Sequence, residues 1–212
     1  MSGNAPCYNQ VMQDSFVAII FLGFGTAVFI FFKPSKITNY PSVGDTVVMF
    51  GDSLIEGVGA SKGYTLPELL SEKINTPIIN MGIKGQTSKE GLARINSIID
   101  LDPKVVMILF GGNDYLHDVK PHTTFKNIDD MVAILQEFGA VVVLLGIQGG
   151  ILTDPYEEEF KKIAHNRGAL YVPSVLDGII GEESLMSDEV HPNDIGYALI
   201  ADKIYPVLKK AL

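Results

Sequence analysis

Residues 105–114 read Val105-Val106-Met107-Ile108-Leu109-Phe110-Gly111-Gly112-Asn113-Asp114. Six apolar residues without polar alternation, too few for a helix and closed by a Gly-Gly-Asn-Asp turn, are the pattern of a strand buried on both faces. The same pattern recurs at Thr46–Phe50, Pro77–Asn80, Val141–Leu145 and Leu170–Val172, each run bounded by Gly, Pro, Asn or Asp. Between these five strands the apolar residues fall at helical spacing: Leu66, Leu69, Leu70 and Ile74; Leu92, Ile95, Ile98 and Ile99; Ile128, Met131, Val132 and Leu135; Tyr156, Phe160, Ile163 and Ala164. A last helix is expected from about Asp194, with Ile200, Ile204, Val207 and Leu208 on one face. Thr65 with Glu68, Thr87 with Glu90, and Asp154 with Pro155 and Glu157 supply the residue types that satisfy free N–H groups of a first helical turn. Doubly apolar strands alternating with amphipathic helices specify an α/β protein, a parallel sheet covered on both sides. Function in such a sheet sits beyond the carboxyl ends of the strands.

At those ends, and once near the C-terminus, stand four conspicuous segments. They are Gly51-Asp52-Ser53-Leu54, then Asn80-Met81-Gly82-Ile83-Lys84-Gly85-Gln86-Thr87, then Gly111-Gly112-Asn113-Asp114, and finally Asp188-Glu189-Val190-His191-Pro192. In this order and spacing they resemble the blocks of the SGNH hydrolases, the GDSL esterase/lipase family, and more narrowly its bacterial arylesterase, thioesterase and lysophospholipase branch. The resemblance covers about residues 46–210. It implies a three-layer α/β/α sandwich around a five-stranded parallel, flavodoxin-like sheet, and hydrolysis of esters or thioesters.

The chemistry accounts for the residue types. A serine hydroxyl is a poor nucleophile without a base in reach, and the base needs a partner that fixes its tautomer. Ser53, His191 and Asp188 can supply these roles, the Asp-x-x-His spacing letting one turn bring the carboxylate to the imidazole. Attack on an ester carbonyl then creates an oxyanion that must meet prepositioned donors. The resemblance assigns these to the backbone N–H groups of Ser53 and Gly85 and to the Asn113 amide, with Gly82 the rival to Gly85. Asp52 and Asp114 are expected to hold loops through backbone N–H groups; His117, His122 and His165 have no matching context and read as surface residues. The serine does not stand in the Gly-x-Ser-x-Gly elbow of the α/β-hydrolases. Gly57-Val58-Gly59 and the glycines after residue 145 lack the Gly-Lys-Ser/Thr of a phosphate loop. Neither a metal nor a cofactor is expected. Ile151 and Leu152 lie where relatives carry a loop over the acyl chain and are candidate substrate contacts, although the preceding Gly149-Gly150 pair departs from a bulkier loop.

The N-terminal stretch is different in kind. From Ser15 to Phe32 there is no charge, and six of the chain's eleven phenylalanines lie here. A helix through Phe16–Phe32 would run about 25 Å, close to a hydrocarbon core of about 30 Å, so residues 15–32 are expected as a single-pass transmembrane helix. They would follow a tail at 1–14 and precede a linker at 33–44 and a hydrolase domain at 45–212. No Lys or Arg precedes the segment and no small-x-small site follows it, as a cleaved signal would require. Lys33 and Lys36 against Asp14 bias the domain toward the cytoplasm, whereas the family resemblance implies frequent export. A net charge of −9 and a pI near 4.8 argue against a nucleic-acid partner. Cys7, the single cysteine, cannot form an internal disulfide. The expected substrate is a small-molecule or lipid-derived ester. The alternatives are a carbohydrate O-acetylesterase of the same fold and an inert membrane-tethered binding module.

Overall fold

The computed structural model describes residues 16–22, 26–32, 36–148 and 155–212. The chain divides into two compact units, Met1–Lys36 and Ile37–Leu212.

In the first unit the described residues 16–22 and 26–32 form strands, not the expected helix. Phe16–Leu22 (β1) and Thr26–Phe32 (β2) pair as antiparallel strands, in register from Phe16↔Phe32 to Leu22↔Thr26. Both strands are rich in β-branched and aromatic residues, with Gly23 and Gly25 between them, and an apolar run without periodicity suits strands as well as a helix. Among the described residues no helix is long and apolar enough to cross a membrane.

The second unit contains a five-stranded, all-parallel sheet. Its strands are Thr46–Gly51 (β3), Ile78–Gly82 (β4), Pro103–Leu109 (β5), Val141–Leu145 (β6) and Leu170–Val172 (β7), in the order β4-β3-β5-β6-β7. Residues 47–50 and 105–110 are at most 1 % exposed, as expected for strands covered on both faces. The helices are Ser53–Glu56 (α1), Leu66–Ile74 (α2), Ser88–Ala93 (α3), Asn96–Ile99 (α4), Gly112–Leu116 (α5), Pro121–Glu137 (α6), Pro155–Arg167 (α7) and Asp194–Leu208 (α8). From β3 the chain steps to β4 on one side, then crosses back to β5 on the other. Right-handed crossovers in opposite directions put α2 on one face and α3, α6 and α7 on the other. α8 returns to pack against α2, while α6 packs against α3 and α7, which completes the three layers.

The cap signals work as their chemistry dictates. Glu68 accepts from the Thr65 N–H at 3.1 Å and Glu90 from the Thr87 N–H at 2.7 Å. Asn193 caps α8 by accepting from the N–H groups of Ile195 and Gly196. Asp154 lies outside the described residues. The segment around Leu92–Ile99 is two short helices rather than one, because i→i+3 bonds from Arg94 to Gly91 and from Ile95 to Leu92 tighten the chain. Residues 37–44, read from the sequence as linker, are hydrogen-bonded to the body. The Thr38 hydroxyl donates to Arg167 O, the Asn39 amide to Gln136 O and Ala140 O, and the Ser42 hydroxyl to Gly139 O.

Candidate active site

Strands β4, β3 and β5 end in register, with Gly51 opposite both Gly82 and Leu109. The segments that follow them therefore open onto one spot, at the point where strand order reverses. Asp52 turns the chain into α1 by accepting from the Leu54 N–H at 3.0 Å, which sets Ser53 at the head of the helix. Gly82 lies where a Cβ would come within 2.0 Å of the Glu56 backbone nitrogen, so its glycine serves the contact between β4 and α1. Gly85 differs: its φ is +80° and the space beside it is empty. Of the two glycines, Gly85 is the one that lines the cleft over Ser53.

The C-terminal segment arrives from the far end of the fold and is fastened at several points. Met186 and Pro192 form an antiparallel bridge, and the Ser187 N–H donates to His191 O at 2.9 Å. Tyr197 on α8 donates its hydroxyl to Val58 O at 2.8 Å, and the Ser61 N–H donates to Asp194 at 2.7 Å. The loop after α1 thus holds the start of α8.

Ser53, 8 % exposed, lies 3.0 Å from Nε2 of His191. On the other side of the ring, Nδ1 lies 2.8 Å and 3.0 Å from the two carboxylate oxygens of Asp188. Asp188 also accepts from the N–H groups of Val190 and His191. The Val190 N–H first, and the His191 side chain next, hold its carboxyl down to about 2. It is therefore ionised at neutral pH and accepts a hydrogen bond from the Nδ1–H of His191, leaving Nε2 to accept from the Ser53 hydroxyl. Such a relay can raise the nucleophilicity of a hydroxyl and carry its proton.

Asn113, at the start of α5, donates through Nδ2 to Gln86 O at 3.0 Å and to Asp52 Oδ2 at 3.3 Å. Asp52 is 3 % exposed, and burial pushes its carboxyl up to about 7 against the pull of the Leu54 N–H. Asp114 accepts from the Ser88 N–H at 2.7 Å and from the hydroxyls of Ser88 and Thr124, which ties α5 to α3 and α6.

Ser53, Gly85, Asn113 and His191 share a cleft of about 370 Å³. Much of the remaining lining is apolar, including Leu116, Ile147, Leu176, Ile180 and Val190. His117, His122 and His165 are exposed and belong to the outer surface. Ile151 and Leu152, with Gly149 and Gly150, lie outside the described residues.

One protein-family model matches residues 49–199, a span that contains every segment meeting at this cleft. The chain belongs to the GDSL-like lipase/acylhydrolase family. As a GDSL-type hydrolase it resembles esterase TesA of Pseudomonas aeruginosa, with 28% identity over 183 residues, 81% of this chain and 91% of that one. It also resembles thioesterase 1/protease 1/lysophospholipase L1 of Escherichia coli K12, with 27% identity covering 78% of this chain and 84% of the relative. The crystal structure of TesA matches with a TM-score of 0.74 at 28% identity, covering 79% of this chain and all of the other. The esterase EstA of Pseudoalteromonas, solved with monoethylphosphonate as inhibitor, gives a TM-score of 0.71 at 26% identity, covering 78% and 97%.

Sequence reasoning passed over two side chains of this GDSL-type site. Arg94 donates to Gln86 Oε1, Gly51 O and Met81 O, and Tyr197 carries the clasp to Val58. Both stand in segments whose helical periodicity reads as packing alone. The signal that could have singled out Arg94 is a cation on a segment whose other inward positions are apolar.

Proposed function

We propose that this chain is a serine esterase that cleaves carboxylic esters or thioesters through an acyl-enzyme. The observation that carries the reading is the unbroken hydrogen-bond relay from Asp188 through His191 to Ser53, opening onto a largely apolar cleft. As Ser53 Oγ attacks the carbonyl carbon, Nε2 of His191 takes its proton and Asp188 steadies the imidazolium. The N–H groups of Ser53 and Gly85 and the amide of Asn113 receive the oxyanion, the last by exchanging its longer bond to Asp52 for one to the substrate. Collapse expels the alcohol or thiol, which leaves with the proton from His191. Water then attacks the acyl group, giving its proton to His191, and the carboxylic acid departs as Ser53 regains its hydrogen. The apolar lining supports acyl or lipid-derived substrates, in keeping with the thioesterase and lysophospholipase named among the relatives.

A fluorophosphonate should label Ser53 alone, and Ser53→Ala should remove both labelling and ester hydrolysis while the circular dichroism spectrum stays unchanged. Labelling at another serine, or none, overturns the mechanism. Nitrophenyl esters and acyl-CoA substrates of graded chain length read the specificity. Activity confined to acetylated glycans would replace this reading with the carbohydrate O-acetylesterase.

The uncharged composition of residues 15–32 supports attachment to a membrane surface. Strands of seven residues are shorter than the 9–11 or so that span a bilayer, so the attachment we infer is interfacial. Sedimentation of the full chain with membranes, lost when residues 1–36 are deleted, supports it, and recovery of the full chain in the soluble fraction overturns it. Protease protection in intact cells reads the side on which the chain lies.

A further inference from the structure

Arg94 sits at the C-terminal end of α3 with a guanidinium that meets no carboxylate within ion-pair distance among the described residues. Its partners are neutral and belong to three separate segments. Nε donates to Gln86 Oε1 at 2.6 Å, and Nη2 donates to Met81 O at 2.9 Å and to Gly51 O at 3.1 Å. The plane lies over the Phe50 ring at 4.4 Å, and Nη1 is buried without a partner. Desolvating a cation with no counter-ion is costly, and an apolar residue of similar volume would pack the same space at lower cost. The chain accepts that cost at the place where the strand ends converge.

What the fork holds explains why. Gly51 O is the carbonyl immediately before Asp52-Ser53, and Met81 O belongs to the β4 residue just before Gly82, the partner of Gly51. Gln86 is the residue after Gly85, and its own carbonyl accepts from Asn113 Nδ2 at 3.0 Å. The loop between is drawn to the same spot, the Ile83 N–H donating to Gly51 O at 3.1 Å and the Gln86 N–H to Ile83 O at 3.3 Å. A planar guanidinium with donors in fixed directions sets the distance between these groups in a way that a lysine ammonium cannot.

We propose that Arg94 is a positioning residue of the oxyanion cradle, fixing Gln86 and through it the Gly85 N–H and the Asn113 amide relative to Ser53. The inference rests on the reading of Asn113 as an oxyanion donor.

The test is a double-mutant cycle on kcat, using Arg94→Lys, Asn113→Ala and the pair, with folded enzyme counted by circular dichroism. Arg94→Lys should lower kcat by about 10-fold with KM changed by less than about 2-fold, and in the Asn113→Ala background it should lower kcat by less than about 2-fold. Coupling of that size is ordinary for groups in one hydrogen-bond network. A purely structural Arg94 costs the same factor in both backgrounds, and that result overturns the proposal, as does an unchanged kcat in folded Arg94→Lys. Gln86→Met removes the Arg94 acceptor at a half-buried side chain, so it keeps the test open where Arg94→Lys does not fold. It should show the same non-additivity with Asn113→Ala, and additivity there overturns the proposal. Fluorophosphonate labelling of wild-type Ser53 separates the two levels. A labelled wild type with an additive cycle refutes Arg94's role alone, whereas an unlabelled wild type refutes the esterase reading on which it stands.

Discussion

Asp52 offers the sharpest test of the electrostatics beside Ser53. The carboxyl is buried, touches the Leu54 N–H and the Asn113 amide, and feels the neighbouring charge of Asp114, so burial lifts its pKa from the ordinary 3.8 to about 7. The folded protein holds this proton up to about pH 7, whereas the unfolded chain releases it near 3.8. Between those values the native state binds more protons, so stability falls as pH rises. At about 1.4 kcal/mol per pH unit the full loss approaches ~4 kcal/mol, of which about 2–3 kcal/mol falls between pH 5 and pH 8. Asp52→Asn removes the titration. Its amide cannot both accept from Leu54 and accept from Asn113, which costs about 1–3 kcal/mol, but that offset is the same at every pH. Denaturant unfolding of both proteins at pH 5, 6, 7 and 8 should therefore give a stability difference that shifts by about 2–3 kcal/mol in favour of the variant as pH rises. Other titrating groups cancel in the difference, and Asp188, already ionised above about 2, does not change across this window. Parallel stability curves for the two proteins would refute the reasoning.

Asn113→Ala should lower kcat by roughly 10²–10³, with KM nearly unchanged, if the amide serves the transition state rather than the ground state; wild-type kcat in the folded variant would remove it from the oxyanion site. Deleting residues 1–36 should yield a soluble enzyme with full activity, since every candidate site residue and the Thr38, Asn39 and Ser42 bonds lie beyond the cut; insoluble or inactive protein, read by centrifugation and ester hydrolysis, would show that the first unit is needed by the second.

How much of this was legible in the sequence follows from how local each determinant is. The five body strands were readable to within about two residues, because runs such as Val141–Leu145 are apolar on both faces and closed by turn residues. The caps at Thr65 and Thr87 were readable because a side chain three residues away completes them. Residues 16–22 and 26–32 are strands where a helix was expected, because a run with no charged residue has no period to distinguish 3.6 from 2, and β-branched and aromatic content suits a strand as well. The break at Arg94 was invisible because the i→i+3 bonds that make it leave the helical spacing of Leu92, Ile95, Ile98 and Ile99 unbroken. Helices α1 and α5, four and five residues long, are set by the turns that begin them and are too short to show periodicity. The Asp188–His191 pairing is local and readable from three-residue spacing, but Ser53 and His191 are 138 positions apart and only the family resemblance joined them in advance.

Asp52 and Asp188 show why adjacency in sequence is a poor guide to role. Asp52 precedes Ser53 directly, yet it meets no imidazole, and its buried site favours the protonated form up to about pH 7. A carboxyl that is neutral over much of the working range makes a poor partner for an imidazolium. Asp188 is far off in sequence and half exposed, but two backbone N–H groups and the imidazole stabilise its charge and hold it near 2. Water and those donors supply what a buried site would withhold, so the carboxylate is ionised whenever His191 needs it. Environments that drive two acids apart assign their tasks: in the proposed mechanism Asp188 steadies the base, and Asp52 fixes the start of α1 and holds the Asn113 amide until an oxyanion competes for it.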